Sequence, residues 1–443
     1  VRARVEAARH FAAFGVVAGI AVVLHIGGDQ GLFGTVFGAA CGRCRTDFFF
    51  RSTFSALSLF IRPMKIGIVC YPTYGGSGVI ATELGLGLAR KGHEIHFITY
   101  RRPVRLAHFH ENVFYHEVDN EDYPLFEYPP YDTALASTIV DVVQYQNLDL
   151  LHVHYAIPHA AVAYMAKKIL LSQGRYVPVV TTLHGTDITL VGTNRAFAPV
   201  VEFSINKSDG VTAVSQNLRN DTLRLFNIER DIRVIYNFID FDRFRKVDKD
   251  HFKKIIAPDG ERIVAHTSNF RKVKRVDDVV HIFKKIHDRV PSKLLMIGDG
   301  PERQNAERLC RQLGICNDVR FLGKQDAIEE LLAICDLFVI PSENESFGLA
   351  ALEAMACEVP IISSNSGGLP EVNIHGVTGF LSDPGNIEEM ARYAIQLLEN
   401  EPMLQQFRQN ALAQAKRFDL DNVLPDYEAY YAEVLANSNV KVE

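Results

Sequence analysis

From Met64 onward the chain repeats one arrangement: a short β-branched or apolar run, then a stretch with helical spacing. Strands separated by helices cannot close hairpins on one another. They build parallel sheets with helices on both faces. Residues 66–70, 93–99, 150–154 and 177–183 read as strands of a first series. Between the first two, Ile80, Leu84 and Leu88 fall at i, i+4 and i+8, which lays one side of a helix on the sheet. After Asn237 a second series follows, with strands expected at 262–267, 293–297, 319–322, 337–340 and 360–363. The fold class is therefore α/β, with two Rossmann-like domains and a cleft at the carboxyl ends of their strands.

The length of 443 residues supports more than one domain, because single cores rarely grow that large. The charge-rich connection 236–250 divides residues 64–237 from 238–419. Residues 420–443 hold a last helix, with Pro425 suited to its first turn and Tyr427, Tyr430 and Tyr431 on a largely amphipathic pattern, expected to cross the junction. A hydrophobic fraction of 47% with 23% charged residues excludes disorder and fibrous repeats. A net charge of -6 gives no reason to expect nucleic-acid binding. Seven cysteines, mostly inside apolar runs, suit buried thiols in a reducing, cytoplasmic setting. Cys41 and Cys44 form one CxxC with no second ligand pair, so neither zinc nor redox chemistry is expected of them.

Residues 1–63 do not share the alternation. An apolar run from Phe11 to Ile26 follows Arg2, Arg4 and Arg9. It is as long as a signal-peptide core and short of the roughly 20 residues of a membrane span. Met64 opens Met-Lys-Ile-Gly-Ile-Val-Cys, the kind of first strand with which many α/β enzymes begin. An extraneous extension is the favoured reading, ahead of a membrane anchor and a secretory signal.

Four motifs sit at expected strand ends. Gly75-Gly76-Ser77-Gly78 follows the first strand and precedes a helix, where glycine lets backbone N–H groups approach a ligand. Its spacing is not Gly-x-Gly-x-x-Gly, and Glu94 starts the next strand instead of ending it, which argues against a dinucleotide site. Ser268-Asn269-Phe270-Arg271-Lys272-Val273-Lys274-Arg275 gathers cations that suit a diphosphate leaving group; a solvated basic turn is the alternative. Glu345 and Glu353 are eight residues apart, about 12 Å along a helix, too far for a glycosidase pair at roughly 5 to 9.5 Å. Separate jobs follow: Glu345 for sugar hydroxyls, Glu353 for ribose hydroxyls, and the helix start near Gly348 for a phosphate. His184-Gly185-Thr186-Asp187 places an imidazole that suits a hydroxyl or a proton shuttle.

Glu345-x7-Glu353, the Gly75–Gly78 loop, His184, Lys274, Gly367-Gly368-Leu369-Pro370-Glu371 and Gly379-Phe380-Leu381-x-x-Pro384 together resemble the retaining glycosyltransferases of family 4, whose two-lobed fold is called GT-B. The resemblance covers Met64 to the C-terminus. It implies that 64–237 is the acceptor domain and 238–419 the UDP-sugar-binding domain. Cys70-Tyr-Pro-Thr-Tyr-Gly-Gly-Ser-Gly-Val79, Leu151-His-Val-His-Tyr-Ala-Ile-Pro158 and Ser268-Asn-Phe-Arg271 narrow it to members that join N-acetylglucosamine from UDP-N-acetylglucosamine to L-malate, the first step of bacillithiol synthesis. Residue by residue it implies catalytic roles for His184, Arg271, Lys274 and Glu345. The donor would be held by Gly76, Arg271, Lys274, Glu345, Phe347, Gly348, Leu349 and Glu353. The acceptor would meet Ser77, Gly78, Arg101, His154, Tyr155 and Thr186, with Arg102 a further cation by location. Where the family carries an arginine five positions before the lysine this chain has Asn269, so Arg271 fills that role from a shifted position.

The resemblance also implies front-face attack without an enzymic nucleophile, no cofactor beyond the sugar nucleotide, no metal, and a homodimer with a hinge near Asn237. No Asp-x-Asp cluster suited to a metal is present in the sequence. Two rivals stand beside this expectation: a family member acting on a lipid or glycan at the membrane, and a sugar-nucleotide-binding protein without turnover.

Overall fold

The computed structural model describes residues 16–17, 20–25, 33–36 and 62–439, except 74, 107, 120–129 and 248–249. Contacts divide it into two units, Val1–Phe60 and Ile61–Glu443. In the first unit β1 (Val16–Val17), β2 (Ile20–His25) and β3 (Phe33–Val36) form an antiparallel sheet, with Val17 opposite Ile20 and His25 opposite Phe33. Part of the apolar run is therefore strand. Its remaining residues, and the Cys41–Cys44 pair, lie outside the described residues, as does the choice between extension, anchor and signal. No helix among the described residues is long and apolar enough to cross a membrane.

The second unit has two parallel sheets. Strands β4 (Lys65–Val69), β5 (Glu94–Thr99), β6 (Val113–Glu117), β7 (Leu150–His154), β8 (Val179–Leu183), β9 (Gly210–Ala213) and β10 (Arg233–Val234) build the first, in the order β10-β9-β8-β7-β4-β5-β6. Strands β11 (Arg262–Thr267), β12 (Ser292–Ile297), β13 (Val319–Gly323), β14 (Leu337–Ile340), β15 (Ile361–Ser364) and β16 (Gly379–Ser382) build the second, in the order β13-β12-β11-β14-β15-β16. Both are doubly wound. The order reverses between β4 and β7 in one and between β11 and β14 in the other, and ligands of such sheets bind outside these switch points. Strands β6, β9, β10 and β16 escaped sequence reading because they are short and rich in glycine or polar residues. The long apolar strands were legible because burial on both faces demands near-continuous Ile, Val and Leu.

The chain leaves the first lobe through residues 236–240 and returns beside the same point. Ile239 donates to the Phe418 carbonyl at 2.9 Å, and Leu420 donates to the Ile239 carbonyl at 2.9 Å. The last helix, Leu420–Asn439, then packs on the first sheet. Leu424, Tyr427 and Tyr431 share a core with Ile66, Ile68, Ile80 and Leu84. Each fully buried side chain of this size contributes roughly 2–3 kcal/mol of apolar transfer. Pro425 is not in the first turn of this helix but inside it. Asp419 accepts the Asp421 N–H at 3.2 Å and starts the helix at Leu420. The carbonyl that Pro425 leaves without a donor belongs to Asp421, an exposed residue that water can serve. A further apolar cluster runs through both lobes, from Leu183 and Val214 to Phe347 and Leu369.

Candidate active site

A cleft of about 930 Å³ lies at the carboxyl ends of both sheets. Loops after β4, β7 and β8 form one wall; loops after β11 and β14 and the start of the helix Leu349–Ala356 form the other. Sequence-expected residues that line it are Gly76, Ser77, Tyr155, His184, Thr186, Arg271, Lys274, Glu345, Phe347, Gly348 and Leu349.

The second-lobe wall is charged. Lys274 Nζ lies 2.5 Å from Glu345 Oε2, and Ser342 Oγ donates to the same oxygen at 3.4 Å. Arg271 is exposed on the cleft. Arg275 is drawn elsewhere, to Asp278 at 2.6 Å and Glu343 at 2.7 Å. The basic segment is thus divided, with Arg271 and Lys274 facing the cleft and Arg275 anchoring its back. Gly348 precedes the helix Leu349–Ala356 with φ +100°, no side chain caps the helix, and its first turn carries no acid. Its N–H groups are therefore left for an anion. Phe347 forms part of the floor, 2% exposed, with its ring edge-on to Phe418 at 5.5 Å.

The first-lobe wall has no lysine or arginine among its lining residues and carries the carboxylates of Asp132 and Asp187. The helix Gly76–Arg90 begins at Gly75 without a side-chain cap or a first-turn acid. His184 comes from the end of β8, where burial pushes its imidazole down to about 3, so it is uncharged at neutral pH. That removes the expectation of a ready proton shuttle and leaves hydrogen bonding. Behind it the strands are polar inside: His152 contacts Thr182 at 2.7 Å and Tyr431 at 2.7 Å, and Thr182 contacts Thr212 at 2.7 Å. Asp187, the last residue of the His184–Asp187 motif, has a role that the motif alone does not show. Its carboxylate accepts the backbone N–H groups of Ala156 at 2.9 Å, Gly185 at 2.9 Å and His184 at 3.2 Å, tying together the loops after β7 and β8. Burial raises this acid to about 6.

Four expected contacts are not brought into the cleft. Gly78 is buried, and a Cβ there would stand 2.3 Å from the Tyr71 carbonyl, so this glycine lets the helix pack against its own loop. Arg101 is exposed and, like Arg102, does not line the cleft. His154 is wholly buried behind His184. Glu353 is 8% exposed and faces Arg105 at 3.8 Å, while burial raises it to about 7. Glu353 lies about one turn inside the helix that starts at Leu349, which carries it past the cleft surface and against Arg105 of the first lobe.

Sequence reasoning also missed the contacts that join the walls. Ser215 Oγ donates to the Ser346 carbonyl at 2.6 Å. Glu371 accepts the N–H groups of Gln216 at 2.9 Å and Asn217 at 2.8 Å, capping a first-lobe helix from the second lobe. Gly185 has φ +104°, and a Cβ there would lie 1.7 Å from Ser346 Oγ. No group of three or more His, Cys, Asp or Glu among the described residues could hold a metal ion.

Comparison with known proteins agrees with this geometry. Residues 74–243 match the model "Glycosyltransferase Family 4" and residues 247–414 match "Glycosyl transferases group 1". N-acetyl-alpha-D-glucosaminyl L-malate synthase of Bacillus anthracis is 49% identical over 84% of this chain and 97% of its own. An uncharacterised glycosyltransferase of Methanocaldococcus jannaschii is 30% identical over 74% of this chain and 87% of its own. Among solved structures, sucrose-phosphate synthase from Thermosynechococcus elongatus superposes with a TM-score of 0.72 at 20% identity, covering 84% of this chain and all of that one. Anabaena HepE in complex with UDP and glucose gives 0.71 at 23% identity, covering 83% and 99%. These two show the fold. With both lobes matched in order and a near full-length relative at this identity, the chain belongs to glycosyltransferase family 4 and is a glycosyltransferase of GT-B fold.

Proposed function

We propose that the chain transfers N-acetylglucosamine from UDP-N-acetylglucosamine to the hydroxyl of L-malate with retention of configuration. The observation that carries this reading is the likeness to the Bacillus anthracis synthase across nearly its whole length. The division of the cleft supports it. Arg271, Lys274 and the uncapped start of the helix Leu349–Ala356 suit the donor diphosphate, where negative charge grows as the C1–O bond breaks. Glu345 and His184 suit sugar hydroxyls. In front-face attack the malate oxygen bonds C1 from the side that UDP leaves, and its proton passes to the departing phosphate oxygen, so no protein base is needed. Malate carboxylates would meet the N–H groups of Gly76 and Ser77 and the hydroxyls of Ser77, Tyr155 and Thr186, in place of Arg101 and His154. No metal is assigned to the reaction, and a cytoplasmic homodimer is part of the same reading.

Release of UDP by residues 64–443, with L-malate and without acceptor, tests it. Malate-dependent release with an α-linked product supports the reading; release indifferent to malate removes it. Activity that survives EDTA supports metal independence, and a single species of monomer mass would remove the dimer. One observation favours a second reading, transfer to an acceptor with an apolar portion. Leu190, Val191, Phe197 and Val200 line the cleft with 38–48% of their surface exposed. Turnover with a lipid-linked acceptor but not with malate would select it.

A further inference from the structure

His184 Nε2 lies 2.8 Å from His154 Nδ1, and the two rings stack with centroids 5.1 Å apart. Burial depresses both imidazoles well below their ordinary range, so each is neutral and one proton lies between them. Two tautomer pairs satisfy this contact. If His184 were the donor, His154 would carry its own proton on Nε2. That atom is buried without a hydrogen-bond partner. Stranding an N–H there costs about 1–3 kcal/mol, and orphaned buried N–H groups are rare. If His154 donates from Nδ1, only the Nε2 lone pair is stranded.

His159 supplies an independent instance in the same surroundings. Its Nδ1 lies 2.6 Å from the His154 carbonyl, an acceptor, so Nδ1 must bear the proton. Its Nε2 is likewise buried without a partner and is therefore an unpaired lone pair. This region of the first lobe accommodates stranded lone pairs.

We propose that His154 is a positioning residue that fixes His184 as its Nδ1–H tautomer, so that His184 offers the cleft a hydrogen-bond donor and not an acceptor. The group that takes this hydrogen bond is an oxygen of the sugar being transferred, a clause that rests on the function proposed above. The tautomer does not depend on it. Donation from His184 favours a ligand oxygen with a free lone pair and keeps His184 from drawing a proton off the substrate.

Nitrogen-15 spectra of the histidine-labelled full chain, with His184→Asn used to assign the signal, read the tautomer directly. Protonated Nδ1 and bare Nε2 on His184 are expected; the reverse overturns the proposal. Kinetics give the second arm. His154→Leu should lower kcat about 10- to 50-fold with the KM for the sugar nucleotide changed less than about threefold. His154→Asn, whose amide N–H stands near the position of Nδ1–H, should restore kcat to within about fivefold. Wild-type kcat in His154→Leu, or no rescue by Asn in a variant of wild-type thermal stability, overturns it. If no acceptor supports turnover, the functional reading fails while the spectra still decide the tautomer.

Discussion

In the first lobe the loops after β7 and β8 bring to the cleft a neutral imidazole, hydroxyls and backbone N–H groups, all braced from behind by buried hydrogen bonds. In the second, the loops after β11 and β14 bring an exposed arginine and a half-buried Lys274–Glu345 ion pair. Strand order is the same in both, so topology does not set this difference. The residues at the strand ends set it. Polar groups fixed in advance gain from rigidity, because each costs no reorganisation during the reaction. Under the proposed reaction the second wall meets the charge growing on phosphate and needs cations there, and Lys274 is paired with Glu345.

Four variants break or sharpen that contrast. Lys274→Ala should lower kcat about 10²- to 10³-fold in a UDP-release assay, the range seen when one group stabilising developing charge is lost. A loss below about fivefold would end the claim that the second wall carries the charge. Gly185→Ala should lose about 2–3 kcal/mol in thermal unfolding, since alanine meets both a positive φ and Ser346. An unchanged melting temperature would show the two walls to be farther apart than described.

Glu353→Gln tests whether the charged wall extends inward. Burial keeps Glu353 protonated up to about 7, whereas its ordinary value is 4.5. The folded chain therefore binds the extra proton between those values, and this group's contribution falls as pH rises through that window and is flat outside it. The variant should flatten the wild-type loss of unfolding free energy between pH 5 and 7, by about 2–3 kcal/mol. A tenfold rise in its donor KM would return Glu353 to the ribose; an unchanged KM leaves it as a contact between lobes. Glu371→Ala should cost about 1 kcal/mol, as loss of a helix cap does, and should raise the radius of gyration without UDP. No change in radius would mean that Ser215 and the shared apolar cluster hold the walls without it.

The sequence disclosed the two series of strands and most of the cleft because both rest on short-range signals: continuous apolar runs, and glycine or charge where a strand ends. Glu345, Lys274, His184 and Ser77 were legible for that reason. Glu353, Gly78 and His154 were misplaced because their environments are made by distant segments. Arg105 draws Glu353, the Tyr71 carbonyl demands Gly78, and the β7–β8 pairing buries His154. Asp187 and Glu371 were missed for the same reason, since Asp187 ties in Ala156 of the loop after β7 and Glu371 serves N–H groups of the other lobe.

The paired crossing at Ile239 and Phe418 makes the second lobe an insertion in the topological sense, since the chain enters and leaves it through neighbouring segments held by two hydrogen bonds. Its two ends meet at one edge of the first lobe. A short bridge between residues 239 and 419 would join β10 directly to the last helix and keep the Tyr427–Tyr431 core. The first lobe is thus wired as a host that can be closed up behind its guest, a modularity that the contiguous order of the chain conceals.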